Sequence, residues 1–132
     1  MEKQILKSDH QTCKYRTLRK NIIHIFHKVH KKLGYGYREK VYRDAMMIEL
    51  KKVGIPVYAQ AGIRVFYEGA LINETDGYIL IDNKVIIKIK TEGCLVKDDE
   101  TKLLDYLKAA NLEVGFLFNF GSKPEVKLTT VC

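Results

Sequence analysis

The sequence predicts an α/β domain: one mixed β-sheet flanked by helices, in the order α-α-β-β-β-α-β-β. Three observations carry this. Apolar residues recur at helical spacing in three segments, while others alternate or form short apolar runs between turn residues. The 132 residues contain no internal repeat and no linker, which suits one domain with a real core. Helical and strand patterns interleave, so helices cover a shared sheet.

Residues 1–16 are polar and aperiodic and read as a flexible N-terminal arm, with a single domain over 17–132. From Leu18, the positions Leu18, Ile22, Ile25, Phe26, Val29 and Leu33 trace one face of an amphipathic helix that Gly34 ends. Its other face carries Arg19, Lys20, His24, Lys28, Lys31 and Lys32. Three-residue steps between His24, His27 and His30 drift around the helix, so these rings do not converge on a metal. Gly34-Tyr35-Gly36 interrupts, and a second helix begins near Tyr37. Val41, Ala45 and Ile48 mark one face, which Tyr42, Met46, Met47 and Leu50 widen. Gly54 and Pro56 stop it.

Val57 to Glu68 reads as one alternating strand with a turn at Glu68-Gly69. A strand, a turn at Asp82-Asn83-Lys84 and a second strand then fill Asn73 to Glu92. Lys97 to Ala110 is the third helix, its N-terminus favoured by Asp98, Asp99 and Glu100 and its stripe formed by Leu103, Leu104, Leu107 and Ala110. Val114 to Phe120 is a core strand, and Glu125 to Val131 an edge strand.

Composition narrows the function classes. No apolar run approaches the roughly 18 residues of a membrane span, and the stretch MEKQILKSDHQTCKYR lacks the apolar core and small-residue cleavage site of a signal peptide. Cys13, Cys94 and Cys132 form no CxxC pair, so a reduced, cytoplasmic location is the simplest reading. Lys and Arg number 23 against 16 Asp and Glu, a formal +7 that favours polyanionic partners, nucleic acid above all. The bland counterpart is a solubility charge.

Register sharpens the hairpin. A three-residue loop sets Ile81 opposite Val85 and Asp76 opposite Lys90. Gly77, Ile79, Ile81, Val85, Ile87 and Ile89 then share an apolar face, and Asp76, Tyr78, Leu80, Ile86, Lys88 and Lys90 share the other. A two-residue loop would set Asp76 against Ile89, charge among isoleucines, so the first register is preferred. A carboxylate and lysines brought together on adjacent strands are raw material for metal-dependent phosphodiester cleavage; the bland alternative is a salt bridge that stabilises the sheet.

Leu33 to Tyr42, LGYGYREKVY, resembles the motif of the GxxExxY proteins, with Gly36, Glu39 and Tyr42 in the defining places, and the likeness covers nearly everything from Leu18 to Gly121. That family belongs to the PD-(D/E)XK nuclease-like superfamily, which implies a restriction-endonuclease-like core. The resemblance implies catalytic roles for Glu39, Asp76 and Lys90, with Lys90 as the lysine of the acidic-x-Lys motif. The acidic position of that motif is Lys88 here, and Lys102 stands where the family often has glutamine. Mg²⁺ needs hard oxygen ligands, and like unit charges about 4 Å apart repel by about 4 kcal/mol at an effective dielectric of about 20, a cost doubled for a divalent ion. An ammonium at Lys88 therefore spoils a Glu39–Asp76 metal site, unless Glu92 from the same strand face, or Glu74, serves as a migrated ligand.

The expectation is a diverged, catalytically impaired nuclease-like domain that binds DNA, RNA or another polyanion without a cofactor. Lys88, Lys102 and Tyr42 stand as substrate-binding residues. One rival is an active Mg²⁺-dependent nuclease with metal ligands Glu39, Asp76 and Glu92. The other is a structural or protein-interaction module. Neither needs a membrane, and a homodimer is compatible with all three.

Overall fold

The computed structural model describes residues 15–60, 64–73 and 78–131. Helix α1 (Arg16–Leu33) buries Ile22, Ile25, Phe26 and Val29, the heart of the predicted stripe. Gly34 ends it with φ +71°, a left-handed shape that favours glycine, and its N–H donates to the His30 carbonyl at 2.8 Å. Helix α2 (Glu39–Lys52) starts two residues later than expected and packs through part of the expected apolar area: Tyr42, Met46 and Leu50 are buried and Ala45 and Met47 partly so, whereas Val41 and Ile48 are exposed. Both sets have helical spacing, so rotation about the axis is decided elsewhere. Tyr42 decides it, because its hydroxyl is held beneath the Gly34–Tyr37 loop.

The span read as one strand divides. β1 (Val57–Gln60) pairs antiparallel with β4 (Tyr78–Ile81), while β2 (Arg64–Tyr67) pairs with β3 (Ala70–Asn73) in a separate two-stranded sheet. Glu68 and Gly69 both have positive φ, +48° and +83°, which closes a tight two-residue turn and gives β2 a local partner. With that small unit set aside, the order is the expected α-α-β-β-β-α-β-β.

β4 and β5 (Val85–Lys90) form the hairpin in the anticipated register, Ile81 opposite Val85 and Tyr78 opposite Lys88, across a turn in which Asp82 and Asn83 both have positive φ. Helix α3 (Lys97–Ala110) then carries the chain over to β6 (Val114–Phe120), parallel to β5, and β7 (Pro124–Thr130) closes the edge. Among the described residues the main sheet runs β1-β4-β5-β6-β7.

The two sheet faces bury different helices. Ile79, Ile81, Val85, Ile87 and Ile89 join Phe116, Phe118 and Phe120 beneath α1 and α2. Tyr78, Ile86 and Leu117 pack against Leu103, Tyr106 and Leu107 of α3, so Tyr106 takes the place expected for Leu104 and Ala110. Each large apolar side chain removed from water contributes roughly 1.5–3 kcal/mol. Gly115 lets α3 approach, since a Cβ there would stand 3.2 Å from both Ile86 and Leu103. No helix among the described residues is long and apolar enough to cross a membrane. The N-terminal residues 1–14, with Glu74, Asp76 and Gly77, lie outside the described residues.

Candidate functional site

At the carboxyl ends of the parallel strands β5 and β6 the chain leaves the sheet in two loops, and the α1–α2 loop comes alongside. Together they line a cleft of about 510 Å³ bounded by Tyr35–Arg38, Thr91–Gly93 and Phe120–Ser122. Crevices at the carboxyl ends of parallel strands are the usual ligand sites of α/β sheets.

Asn119 shapes this end. It is fully buried in an otherwise apolar strand. Its Oδ1 accepts from the Glu92 N–H at 2.8 Å, and its Nδ2 donates to the Glu92 carbonyl at 2.8 Å and to Glu125 Oε1 at 2.8 Å. Glu125 Oε1 also accepts from the Leu95 N–H at 3.0 Å. Gly121 lies so close that a Cβ there would stand 2.5 Å from the Glu92 carbonyl oxygen. His30 Nε2 meets the Gly121 carbonyl at 2.8 Å, tying the end of α1 to the same rim.

Lys90 lies beside Asn119 in the β5–β6 register, on the α3 side. Its Nζ is 2.9 Å from Glu92 Oε2 and 3.3 Å from Asp99 Oδ1. Burial works against the ammonium, but the bonds to Glu92 and Asp99 outweigh it and hold its pKa above the ordinary lysine value. Asp99 is only 7% exposed. Its second oxygen, Oδ2, accepts from the Val96 N–H at 3.0 Å and caps α3, so one carboxylate serves both the helix start and the strand lysine.

Lys88 shares this face, its Nζ 4.8 Å from the Tyr78 ring centre, and Tyr78 stacks on Tyr106. Lys102 lies on the exposed side of α3, 3.5 Å from Asp98. Glu39 is the first residue of α2, directly after Arg38 on the cleft wall, and is half-buried. Tyr42 sits on the opposite side of the sheet from Lys88 and Lys90; its hydroxyl donates to the Gly34 carbonyl at 2.8 Å and accepts from the Tyr37 N–H at 3.3 Å. Of the residues picked out from the sequence, Lys90 and Glu92 are in contact, with Lys88 on the same face. Tyr42 serves the loop rather than that patch. Asp76, the remaining member, lies outside the described residues.

Asp99 and Glu92 do not fit a divalent cation as they stand. Asp99 commits one oxygen to an amide and the other to Lys90, and Glu92 commits Oε2 to the same ammonium. No group of three or more His, Cys, Asp or Glu among the described residues could hold a metal ion. Sequence reasoning missed Asp99 as the partner of Lys90, because an acid in an acidic first turn is already explained as a cap. It also missed Asn119, whose signal was available: a lone polar residue inside VGFLFNF.

A family model described as the PD-(D/E)XK nuclease superfamily matches residues 16–131 of the chain. No curated protein and no solved structure matches it.

Proposed function

Because the chain belongs to the PD-(D/E)XK nuclease superfamily, we propose that it is a diverged nuclease-like domain that binds nucleic acid and has lost its catalytic metal site at Lys88. Nucleases of this superfamily generally use divalent metal ions such as Mg²⁺. The observation that carries the reading is the Lys90 ammonium, which engages both Glu92 and Asp99. Its single positive charge offsets one of these two negative charges and occupies Glu92, the carboxylate that a migrated metal site would need. Lys88 adds a second ammonium on that face, and the formal +7 charge supplies the long-range attraction for phosphate.

In this reading Lys88 and the exposed basic residues hold phosphate oxygens, and Lys90 keeps the end of β5 rigid. Lys102, half given over to Asp98 in solvent, contributes charge rather than a fixed contact.

The test is fluorescence anisotropy with labelled DNA and RNA in EDTA and in Mg²⁺, across a salt series. Binding without metal, with the logarithm of affinity falling linearly against that of salt, is the expected result. Absence of any binding at about 150 mM salt, with protein raised to about 100 μM, leaves only an interaction module. Plasmid cleavage in Mn²⁺ that disappears in Asp76→Ala would overturn the loss of the metal site. Lys88→Glu is expected to weaken nucleic-acid binding and to create measurable Mn²⁺ affinity.

A further inference from the structure

Binding phosphate with lysines makes no use of two large rings on the cleft wall. Tyr35 is 66% and Tyr37 51% exposed, both on the loop between α1 and α2. Scattered exposed aromatics are ordinary, but this pair shares a loop that is anchored at Tyr37. Gly34 and Gly36, at φ +71° and +112°, take left-handed shapes on either side of Tyr35. The Tyr42 hydroxyl bridges the Gly34 carbonyl and the Tyr37 N–H. The Tyr37 ring meets Tyr42 edge-on, with centres 6.0 Å apart at 74°. Tyr42 in turn stacks on Phe120 with centres 4.3 Å apart, and Phe120 forms part of the cleft lining. An unbroken run of ring contacts therefore joins the core to the loop.

The polar groups around these rings are those a nucleotide needs. Arg38 lines the same wall and is the N-cap residue of α2, and its guanidinium is a fixed positive charge suited to a phosphate beside the cleft; the positive end of the helix dipole is already met by Glu39 in the first turn. Thr91 and Ser122 face the cleft from the other loops. The negative charge of Glu92 is partly countered by Lys90, which it shares with Asp99. A volume of about 510 Å³ lies within the roughly 300–1,000 Å³ of small-ligand sites.

We propose that the cleft accepts an unpaired base of single-stranded nucleic acid, stacked against Tyr35 and Tyr37, with Arg38 on an adjoining phosphate. This rests on the nucleic-acid reading above and narrows it to a substrate class. Stacking selects for single strands because a duplex covers the faces of its bases with neighbouring pairs, whereas an unpaired base offers its face to an aromatic ring whatever its sequence.

The experiment compares a labelled single strand of about twelve nucleotides with the duplex of the same sequence, in EDTA, against wild type, Tyr35→Ala, Tyr37→Ala and the two Tyr→Phe variants. The expected result is tighter binding of the single strand by wild type. Each alanine variant should lose about 5- to 150-fold of that affinity with an unchanged salt slope, and each phenylalanine variant should retain it. Arg38→Gln should instead lower the salt slope by about 0.7. Wild-type affinity in both alanine variants, or duplex binding as tight as single-strand binding, overturns the inference and leaves nucleic-acid binding standing. Absence of binding to either oligonucleotide by wild type overturns both. Tyr35, the more exposed ring, carries the test if Tyr37→Ala loosens the loop.

Discussion

Replacing Asp99 with asparagine removes one charge and almost no volume from a carboxylate that is 7% exposed. At 3.3 Å from Lys90 Nζ, the attraction lost is about 5 kcal/mol at an effective dielectric of about 20, offset by the desolvation that asparagine no longer suffers. Breaking a buried pair from one side typically costs about 3–5 kcal/mol; Lys90 is partly exposed and keeps Glu92 at 2.9 Å, which brings the cost to or just below the bottom of that range, about 2–3 kcal/mol. The asparagine oxygen can still accept from the Val96 N–H, so the cap survives. Asp99→Ala loses that cap too and should cost about 1 kcal/mol more. Urea denaturation at neutral pH measures both variants, and a double-mutant cycle with Lys90→Met should give a coupling of about 1–3 kcal/mol. If Asp99→Asn stays within about 0.5 kcal/mol of wild type, or if asparagine and alanine cost the same, the dual role assigned to this side chain is wrong.

Two further outcomes follow from the same rim. Gly121→Ala should destabilise by about 1–3 kcal/mol in chemical denaturation, because its Cβ would stand 2.5 Å from the Glu92 carbonyl oxygen, whereas Gly93→Ala, with no atom within 4 Å of the new Cβ, should be close to neutral. Folding raises the Lys90 pKa above the ordinary 10.5, so its stabilisation is complete below pH 10.5 and is lost as pH rises through the folded value; the melting-temperature gap between wild type and Lys90→Met should be flat from neutral pH to pH 10.5 and narrow above pH 10.5, and a gap that widens there contradicts the assignment.

Periodicity made the helices and the hairpin legible. The α1 stripe and the Ile79–Ile89 face each had one consistent solution, because shifting either by one position would bury charge. The register at Ile81 and Val85 followed from that constraint, and the structure has it. Patterns with two acceptable solutions were not legible. On α2, Val41-Ala45-Ile48 and Tyr42-Met46-Leu50 are equally apolar, and only the tertiary anchoring of the Tyr42 hydroxyl separates them. Between Val57 and Glu68, alternation survives a change of partner strand, so a break between sheets leaves no mark on it. Within the site, Lys90 and Glu92 were legible as same-face neighbours two positions apart. Asp99 was not, since its contact with Lys90 depends on where α3 lands over the sheet.

The Asn119 side chain presents one N–H donor and one carbonyl acceptor to the amide and carbonyl of Glu92, much as a neighbouring strand presents its own backbone. It extends the sheet by one rung past the end of β5, built from a residue 27 positions away. For protein engineering this makes the segment around Lys90 a poor graft when it is moved alone. A transplanted hairpin would arrive with the amide and carbonyl of Glu92 both lacking their partner, and the rim would lose its shape before any charge was altered. The smallest transferable unit is the hairpin together with β6, and any redesign of this end of the molecule has to treat Asn119 as backbone.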